Sequence, residues 1–156
     1  MSETLLRAVE AVARVAGDVA VRHFRTDLRV ETKADGSPVT VADREAEQAA
    51  RAWIASHFPD DEIVGEEFGV REGTSGRRWF LDPIDGTKSF VRGVPLWGTL
   101  VAVVEGDRVL AGAAYFPAVE EMLAAAPGEG CWWNGRRAHV SDTSTLAGAT
   151  ALVTDE

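Results

Sequence analysis

Consecutive strand-like runs joined by short turn signals fill the second half of the chain. The stretch "LWGTLVAVVEGDRVLAGAAYF" holds two runs rich in β-forming residues, with Glu105-Gly106-Asp107-Arg108 between them. A third run, "EEMLAAAPG", follows, and Asn134-Gly135 separates two shorter runs in "GCWWNGRRAHV". Such turn residues between strand-like runs are typical of β-hairpins. The pattern therefore predicts a largely antiparallel sheet built from neighbouring hairpins.

Two long amphipathic helices are predicted before most of the sheet. From Leu5 to Phe24 apolar residues recur every three or four positions, with charged residues between them. A second helix is predicted to begin after Thr40, a capping residue followed three positions later by Asp43, and to stop before Pro59. The combination predicts an α+β domain, with two long helices packed on a largely antiparallel sheet.

Length and charge narrow the class of partner. The chain has 156 residues, 46% of them hydrophobic, which is enough for one compact domain. Its 25 acidic and 16 basic residues give a net charge of −9, which disfavours nucleic acid or an anionic membrane as a partner. An anionic substrate would therefore need a local cation, and a bound metal would supply one.

Cysteine content and hydropathy indicate the compartment. Cys131 is the single cysteine of the sequence, so no intramolecular disulfide can form. No apolar window is long enough for a membrane span, and the first residues do not form a signal peptide. We expect a soluble cytoplasmic protein.

Four carboxylates stand at the ends of two predicted strands. Glu66 and Glu67 end one strand, and Asp82 and Asp85 end the next. These groups would repel one another unless a positive charge lay among them. Mg²⁺ prefers such oxygen ligands and retains positions for phosphate oxygens and water. A turn at Asp82 to Asp85 would place both carboxylates on one side, with the Ile84 carbonyl as a third oxygen.

The residues after Asp85 suggest a phosphate site. Backbone N–H groups of a glycine turn that leads into a helix can bind an anion, and "TKSFVRG" could form one helical turn after Gly86. The Thr87 hydroxyl could orient a metal-bound water, and a metal lowers the pKa of that water.

Each of these residues also has a purely structural interpretation. Asp85-Gly86 is an ordinary hairpin dipeptide, and paired glutamates such as Glu66 and its neighbour often end a strand in solvent. Asp43 suits a helix cap, and Lys33 suits an exposed position beside a glycine-containing loop. A two-residue hairpin, however, should return at once to a strand, and "TKSFVRGVP" intervenes here.

Taken together, the motifs resemble the inositol monophosphatase-like family of Mg²⁺-dependent phosphatases. The similarity runs through most of the chain, in the order "KADGSPVTVAD", "GEEFG", "FLDPIDGTKSF", "GCWWNG" and "LVTDE". The stretch "DPIDGTKSFVRGVPLWGTL" is most similar to the histidinol-phosphate phosphatase branch. The resemblance implies the N-terminal sugar-phosphatase-like domain of that family.

The resemblance also implies roles for individual residues. Metal ligands would be Glu66, Asp82, Asp85 and the carbonyl of Ile84, in a family site that holds two or three Mg²⁺ ions, and Glu66 would also take part in catalysis. The resemblance implies that Gly86 and Thr87 bind the phosphate, and that Thr87 and Asp43 orient the attacking water. It further implies that Glu67 supports the ligands from behind, and that Lys33 and Lys88 are accessory residues of the surrounding loops. The implied reaction is in-line attack of a metal-activated water without a phosphoenzyme.

A family motif, Trp-Asp-x-Ala-Ala-Gly, does not occur in the sequence. We therefore expect residues 1–156 to correspond to the N-terminal domain alone, without a C-terminal α/β half. Histidinol phosphate is the expected substrate, with inositol 1-phosphate as the alternative. A further alternative is a non-catalytic half-domain with a partial metal site. Surfaces that the second half would cover should favour a homodimer or other self-association.

Overall fold

The computed structural model describes residues 2–32 and 38–151 of the chain. Its elements confirm the predicted α+β class. The helices are α1 (Ser2–His23), α2 (Val41–His57) and α3 (Thr87–Val91), with a 3₁₀ turn at Leu146–Gly148. The strands are β1 (Glu31–Thr32), β2 (Pro38–Val39), β3 (Glu62–Gly65), β4 (Gly69–Arg71), β5 (Arg77–Asp85), β6 (Gly98–Glu105), β7 (Arg108–Phe116), β8 (Glu121–Ala126), β9 (Gly130–Trp133) and β10 (Arg136–Ala138).

Local signals set the ends of the second helix. The Thr40 hydroxyl accepts a hydrogen bond from the Ala42 amide, while Asp43 Oδ2 accepts one from the Thr40 amide at 2.7 Å. This reciprocal capping box satisfies amides that have no partner inside the helix. The helix ends at His57, before Pro59, as predicted. Among the helices of the described residues, none is both long and apolar enough to cross a lipid bilayer.

Hairpins join most strands of the main sheet. In the described residues its strand order is β10-β9-β8-β7-β6-β5-β3-β4, and β3 and β5 form its one parallel pair. Glu105 pairs with Arg108 across the first predicted hairpin turn, and Trp133 pairs with Arg136 across the Asn134-Gly135 turn. The antiparallel character predicted from the turn signals is confirmed.

One face of the sheet packs against the two long helices. Helix α1 lies across β6, β7 and β8, and α2 lies against β5. Trp79 and Leu81 of β5 point to this inner face and are buried. Each such large side chain contributes about 2 kcal/mol of hydrophobic stabilisation. Close approach of α1 depends on Gly17, because a Cβ there would lie 2.5 Å from the Tyr115 ring.

The opposite, outer face of the sheet is apolar and open. Because side chains alternate along a strand, burial of Leu81 leaves Phe80 on this face, and Phe80 is 40% exposed. Two shallow clefts of about 570 and 420 Å³ run over the outer residues of β3 and β5 to β9. Their lining includes Leu100, Ala114 and Leu123. Apolar patches of this kind favour association with another surface.

We expect the chain to self-associate through the outer face. Sedimentation velocity should show dimers or larger species that increase with protein concentration. Ala125→Glu should shift the distribution towards the monomer, because Ala125 is an exposed outer residue of β8 and a buried charge at the contact is costly.

Val140→Glu is the matched control, since Val140 is 94% exposed and lies outside the sheet. It should leave the distribution unchanged. A wild-type chain that stays monomeric over the whole concentration range would contradict the expectation.

Candidate metal and phosphate site

One open cleft of about 270 Å³ brings together most of the predicted site residues. It lies where β5 passes into α3. Its lining includes Glu66, Asp82, Ile84, Asp85, Gly86, Thr87 and Lys88. Residues separated by about twenty positions in sequence therefore share one surface, because β3 and β5 are parallel neighbours and end at the same edge.

The motif Asp82-Pro83-Ile84-Asp85 is the end of a strand and not the predicted turn. Asp82 pairs with Leu100 and Asp85 pairs with Gly98, so β5 contains one residue more than β6 over this interval. The turn prediction is wrong because pairing with β6 continues past Asp82. Proline is tolerated at such a bulge, where the ladder is interrupted. The buried Thr99 hydroxyl donates to the Pro83 carbonyl at 2.8 Å and holds the bulge.

The bulge has a consequence for the carboxylates. In a regular strand, residues three apart point to opposite faces. The extra residue reverses this relation, and Asp82 and Asp85 both line the cleft. The shared orientation that was expected from a turn therefore comes from a strand irregularity.

Asp82 is in an unfavourable electrostatic position. Burial raises the pKa of its carboxyl to about 7, and the charges of Glu66 and Asp85 and a hydrogen bond with Glu66 act in the same direction. The backbone amide of Ile84 opposes these effects in part. Within the described part of the chain, Asp82 Oδ1 is buried and has no hydrogen-bond partner. A cation in the cleft would satisfy this oxygen and relieve the repulsion.

The candidate ligand atoms in the cleft are of the kind that Mg²⁺ prefers. All are oxygens: the carboxylates of Glu66, Asp82 and Asp85, and the carbonyl of Ile84. The Ile84 oxygen accepts a hydrogen bond from Thr87 Oγ1 at 3.0 Å, which leaves a second lone pair. In residues 2–32 and 38–151, no three His, Cys, Asp or Glu side chains are already gathered closely enough to hold a metal together. Repelling carboxylates are expected to stand apart until a cation neutralises them.

Gly86 starts the helical turn that the sequence predicted. Its φ of 85° is left-handed, and a Cβ there would lie 3.1 Å from the Leu96 carbonyl oxygen. Its carbonyl accepts hydrogen bonds from the Ser89 and Phe90 amides at 2.8 and 3.0 Å. The first amides of α3 have no partners inside the helix by geometry. They lie beside the carboxylates, as the phosphate-site hypothesis requires.

The accessory residues occupy different environments. Lys88 is exposed on the rim of the cleft and supplies a positive charge. Asp43 is 3% exposed and is not among the residues that line the cleft. Its Oδ2 accepts hydrogen bonds from the Thr40 amide and hydroxyl. Glu67 is half-buried, also outside the cleft lining. Lys33 lies outside the described residues. The proposed roles of these four residues stay predictions.

Sequence reasoning missed Glu47 and Thr99. Glu47 is completely buried in α2 and accepts hydrogen bonds from the amides of Glu67 and Phe68. A sequence signal for it exists, because Glu47 follows Ala46 and lies three residues before Ala50 on the apolar side of the helix. A carboxylate in that position requires partners when buried. For Thr99 no comparable signal is present, since threonine is common in strands.

Comparison with known proteins identifies the family. The sequence model of the inositol monophosphatase family matches residues 1–155. The chain belongs to the inositol monophosphatase family. This confirms the resemblance drawn from the motifs. The family is generally magnesium-dependent.

Relatives of this inositol monophosphatase family chain are longer. A histidinol-phosphatase of Chlorobaculum parvum is 42% identical over 158 residues, which cover 100% of this chain and 60% of that protein. A histidinol-phosphatase of Streptomyces coelicolor is also 42% identical, over 93% of this chain and 58% of its own length. The crystal structure of the extragenic suppressor protein SuhB from Bartonella henselae has a TM-score of 0.84 at 29% identity and covers 90% of this chain and 55% of that one. The chain thus spans less than two thirds of each.

Asp82→Asn should stabilise the metal-free chain at alkaline pH. The folded chain keeps a proton on Asp82 up to about pH 7, whereas the unfolded chain releases it near 3.8. The free energy of unfolding therefore falls as pH rises between these two values and stays lower above them. Removing the carboxylate should raise it by about 1 kcal/mol at about pH 8, because solvent screens a half-buried group.

Urea unfolding in EDTA measures this difference. The gain should shrink as pH falls towards the ordinary pKa of aspartate. Asp107→Asn, in the exposed β6–β7 turn, is the control and should change the free energy little at either pH. A destabilised Asp82→Asn variant at alkaline pH would show that Asp82 is not under electrostatic stress.

Proposed function

We propose that this chain provides the metal and phosphate sites of a magnesium-dependent phosphomonoesterase. The observation that carries the proposal is the arrangement around Asp82, whose carboxyl is crowded by Glu66 and Asp85 and whose buried Oδ1 has no hydrogen-bond partner among the described residues. Such stress is costly for the folded chain. Unfavourable placements and perturbed pKa values cluster at functional sites. A bound cation would remove the repulsion around Asp82.

The ligands in this proposal are oxygen atoms of Glu66, Asp82, Ile84 and Asp85. Bound among them, Mg²⁺ would supply Lewis-acid chemistry that makes water a better nucleophile and neutralises charge on the phosphate and the leaving oxygen. The exposed Lys88 ammonium would attract the phosphate ester electrostatically to a chain of negative net charge. The amides of Gly86, directly before α3, and of Thr87, its first residue, would hold the phosphate oxygens.

The hydrogen bond of Thr87 suits the orientation of a water molecule. Its hydroxyl donates to the Ile84 carbonyl at 3.0 Å, so the lone pairs of Oγ1 can accept a hydrogen bond from a water molecule in the cleft. The water would then present its own lone pair to the phosphorus. Asp43, fixed by two hydrogen bonds from Thr40, is the second acceptor of this proposed pair.

Histidinol phosphate is the proposed substrate. Two relatives named histidinol-phosphatase share 42% of their aligned residues with this chain. The family name makes inositol 1-phosphate the alternative ester. Both substrates present a phosphate monoester to the same oxygen and amide groups. The pocket around the leaving group therefore has to discriminate between them.

Phosphate release tests the proposal directly. The chain is expected to release phosphate from histidinol phosphate only when Mg²⁺ is present, and more slowly from inositol 1-phosphate. Asp85→Asn should lower kcat/KM by about 100-fold, because it removes an anionic oxygen ligand.

Asp107→Asn again serves as the control and should keep wild-type activity. Release that is independent of Mg²⁺, or full activity of Asp85→Asn, would refute the proposed function. Calorimetric titration with Mg²⁺ should accompany the assay. Binding without turnover would favour the alternative of a partial metal site in a non-catalytic half-domain.

Lys88→Gln should weaken substrate capture without removing the chemistry. We expect KM to rise about fivefold at low ionic strength, the effect of one partly screened charge, with kcat nearly unchanged. The difference from wild type should diminish with added salt. Arg108→Gln removes an exposed cation at the β6–β7 turn and should have no such effect. A fall in kcat alone would argue against the steering role.

A further inference from the structure

The turn that follows β3 is held by a carboxylate inside the fold. Glu47 of α2 is 0% exposed. Its Oε2 accepts a hydrogen bond from the Glu67 amide at 2.7 Å, and its Oε1 accepts one from the Phe68 amide at 3.1 Å. Hydrogen bonds to an ionised acceptor are stronger than neutral ones. The two residues directly after Glu66 are therefore anchored to a rigid helix.

Arg51 completes this attachment one helical turn later. Its Nε donates to Glu47 Oε1 at 2.7 Å, and its Nη2 donates to the Gly69 carbonyl. The guanidinium also lies over the Phe68 ring, 6.0 Å from the centroid. The pair thus compensates the buried charge and holds three consecutive residues, from Glu67 to Gly69. We call Glu47 and Arg51 the α2 clamp.

The residue before Glu66 is adapted to the clamp. A Cβ on Gly65 would lie 2.0 Å from Glu47 Oε1 and 2.7 Å from Arg51 Nη2, so only glycine allows this approach. The Glu66 amide donates to the Leu81 carbonyl of β5 at 3.3 Å. Glu66 is consequently fixed on both sides, while its own side chain lines the cleft beside Asp82.

A second buried carboxylate at the other end of β3 has a different setting. Asp61 is also 0% exposed and accepts hydrogen bonds from Ser75 Oγ, Arg77 Nε and Trp79 Nε1. It holds the loop before β5, about 15 Å from Glu66 along the strand. Asp61 therefore matches Glu47 in burial and ion pairing, but its hydrogen bonds go to the loop before β5 and to β5 itself, and not to the turn that follows β3.

We propose that Glu47 is a positioning residue, which acts through the turn to place the Glu66 carboxylate beside Asp82 for metal binding. The inference rests on the proposed function, because it assigns Glu66 to the metal. Glu47 itself touches neither metal nor substrate. The hydrogen bonds that it accepts from the Glu67 and Phe68 amides fix the position of the Glu66 backbone. That position determines whether the carboxylates of Glu66, Asp82 and Asp85 can bind one cation.

Glu47→Gln tests this role with little change of volume. The amide group of glutamine can replace only one of the two carboxylate acceptors. Hydrogen exchange followed by NMR should show faster exchange of the Glu67 and Phe68 amides. Calorimetric titration with Mg²⁺ alone should show an affinity about tenfold lower than that of wild type, the usual effect of losing a group that orients a ligand. Asp61→Asn should lower the melting temperature while its Mg²⁺ affinity stays within twofold of wild type.

The outcomes separate the clamp from the proposed function. Reduced Mg²⁺ affinity in Glu47→Gln, with normal affinity in Asp61→Asn, supports the inference. Unchanged Mg²⁺ affinity in Glu47→Gln overturns the inference. Equal losses of affinity in both variants also overturn it, because they indicate a general effect of the substitutions on stability. A wild-type chain that binds no Mg²⁺ refutes the proposed function at the first step, and the clamp's role in metal binding falls with it.

Discussion

Burial of the inner face of β5 is the constraint on which the site depends. Trp79 and Leu81 must lie under the helices to form the core, and period-two alternation then places Phe80 and Asp82 on the outer face. A slip of one residue would exchange these pairs, at the cost of exposing an indole and burying a carboxylate. The hydrophobic effect therefore determines where the first aspartate of the motif points.

The site also depends on departures from regular structure. The bulge in β5 brings Asp85 to the same cleft as Asp82, and Thr99 and Thr87 each satisfy one carbonyl of the irregular segment. Helix α2 contributes Glu47, whose carboxylate accepts hydrogen bonds from the two backbone amides that follow Glu66. The backbone segments that carry these repelling carboxylates are thus held in place by neutral hydrogen bonds and by an ion pair outside the cleft. The fold opposes the repulsion that a cation would remove.

Local signals were sufficient for much of the fold. The capping box at Thr40, the turn at Asn134-Gly135 and the helical turn after Gly86 were predictable because neighbouring residues decide each of them. The motif from Asp82 to Asp85 was misassigned as a turn for the same reason. Asp-Pro and Asp-Gly favour turns locally. Pairing with β6, a segment more than ten residues later in the chain, stabilises the extended conformation instead and continues the strand to Asp85.

The sequence by itself determined the chemical inventory: carboxylates in the order Glu66, Asp82 and Asp85, a glycine that permits a left-handed start to α3, and short motifs that indicate the family. Only the tertiary structure decided which of these groups meet. The parallel pairing of β3 with β5 brings Glu66 to the aspartates, and packing of α2 supplies Glu47 from a distant part of the chain. Residue types are local properties, whereas proximity arises from pairing and burial between segments that sequence order leaves apart.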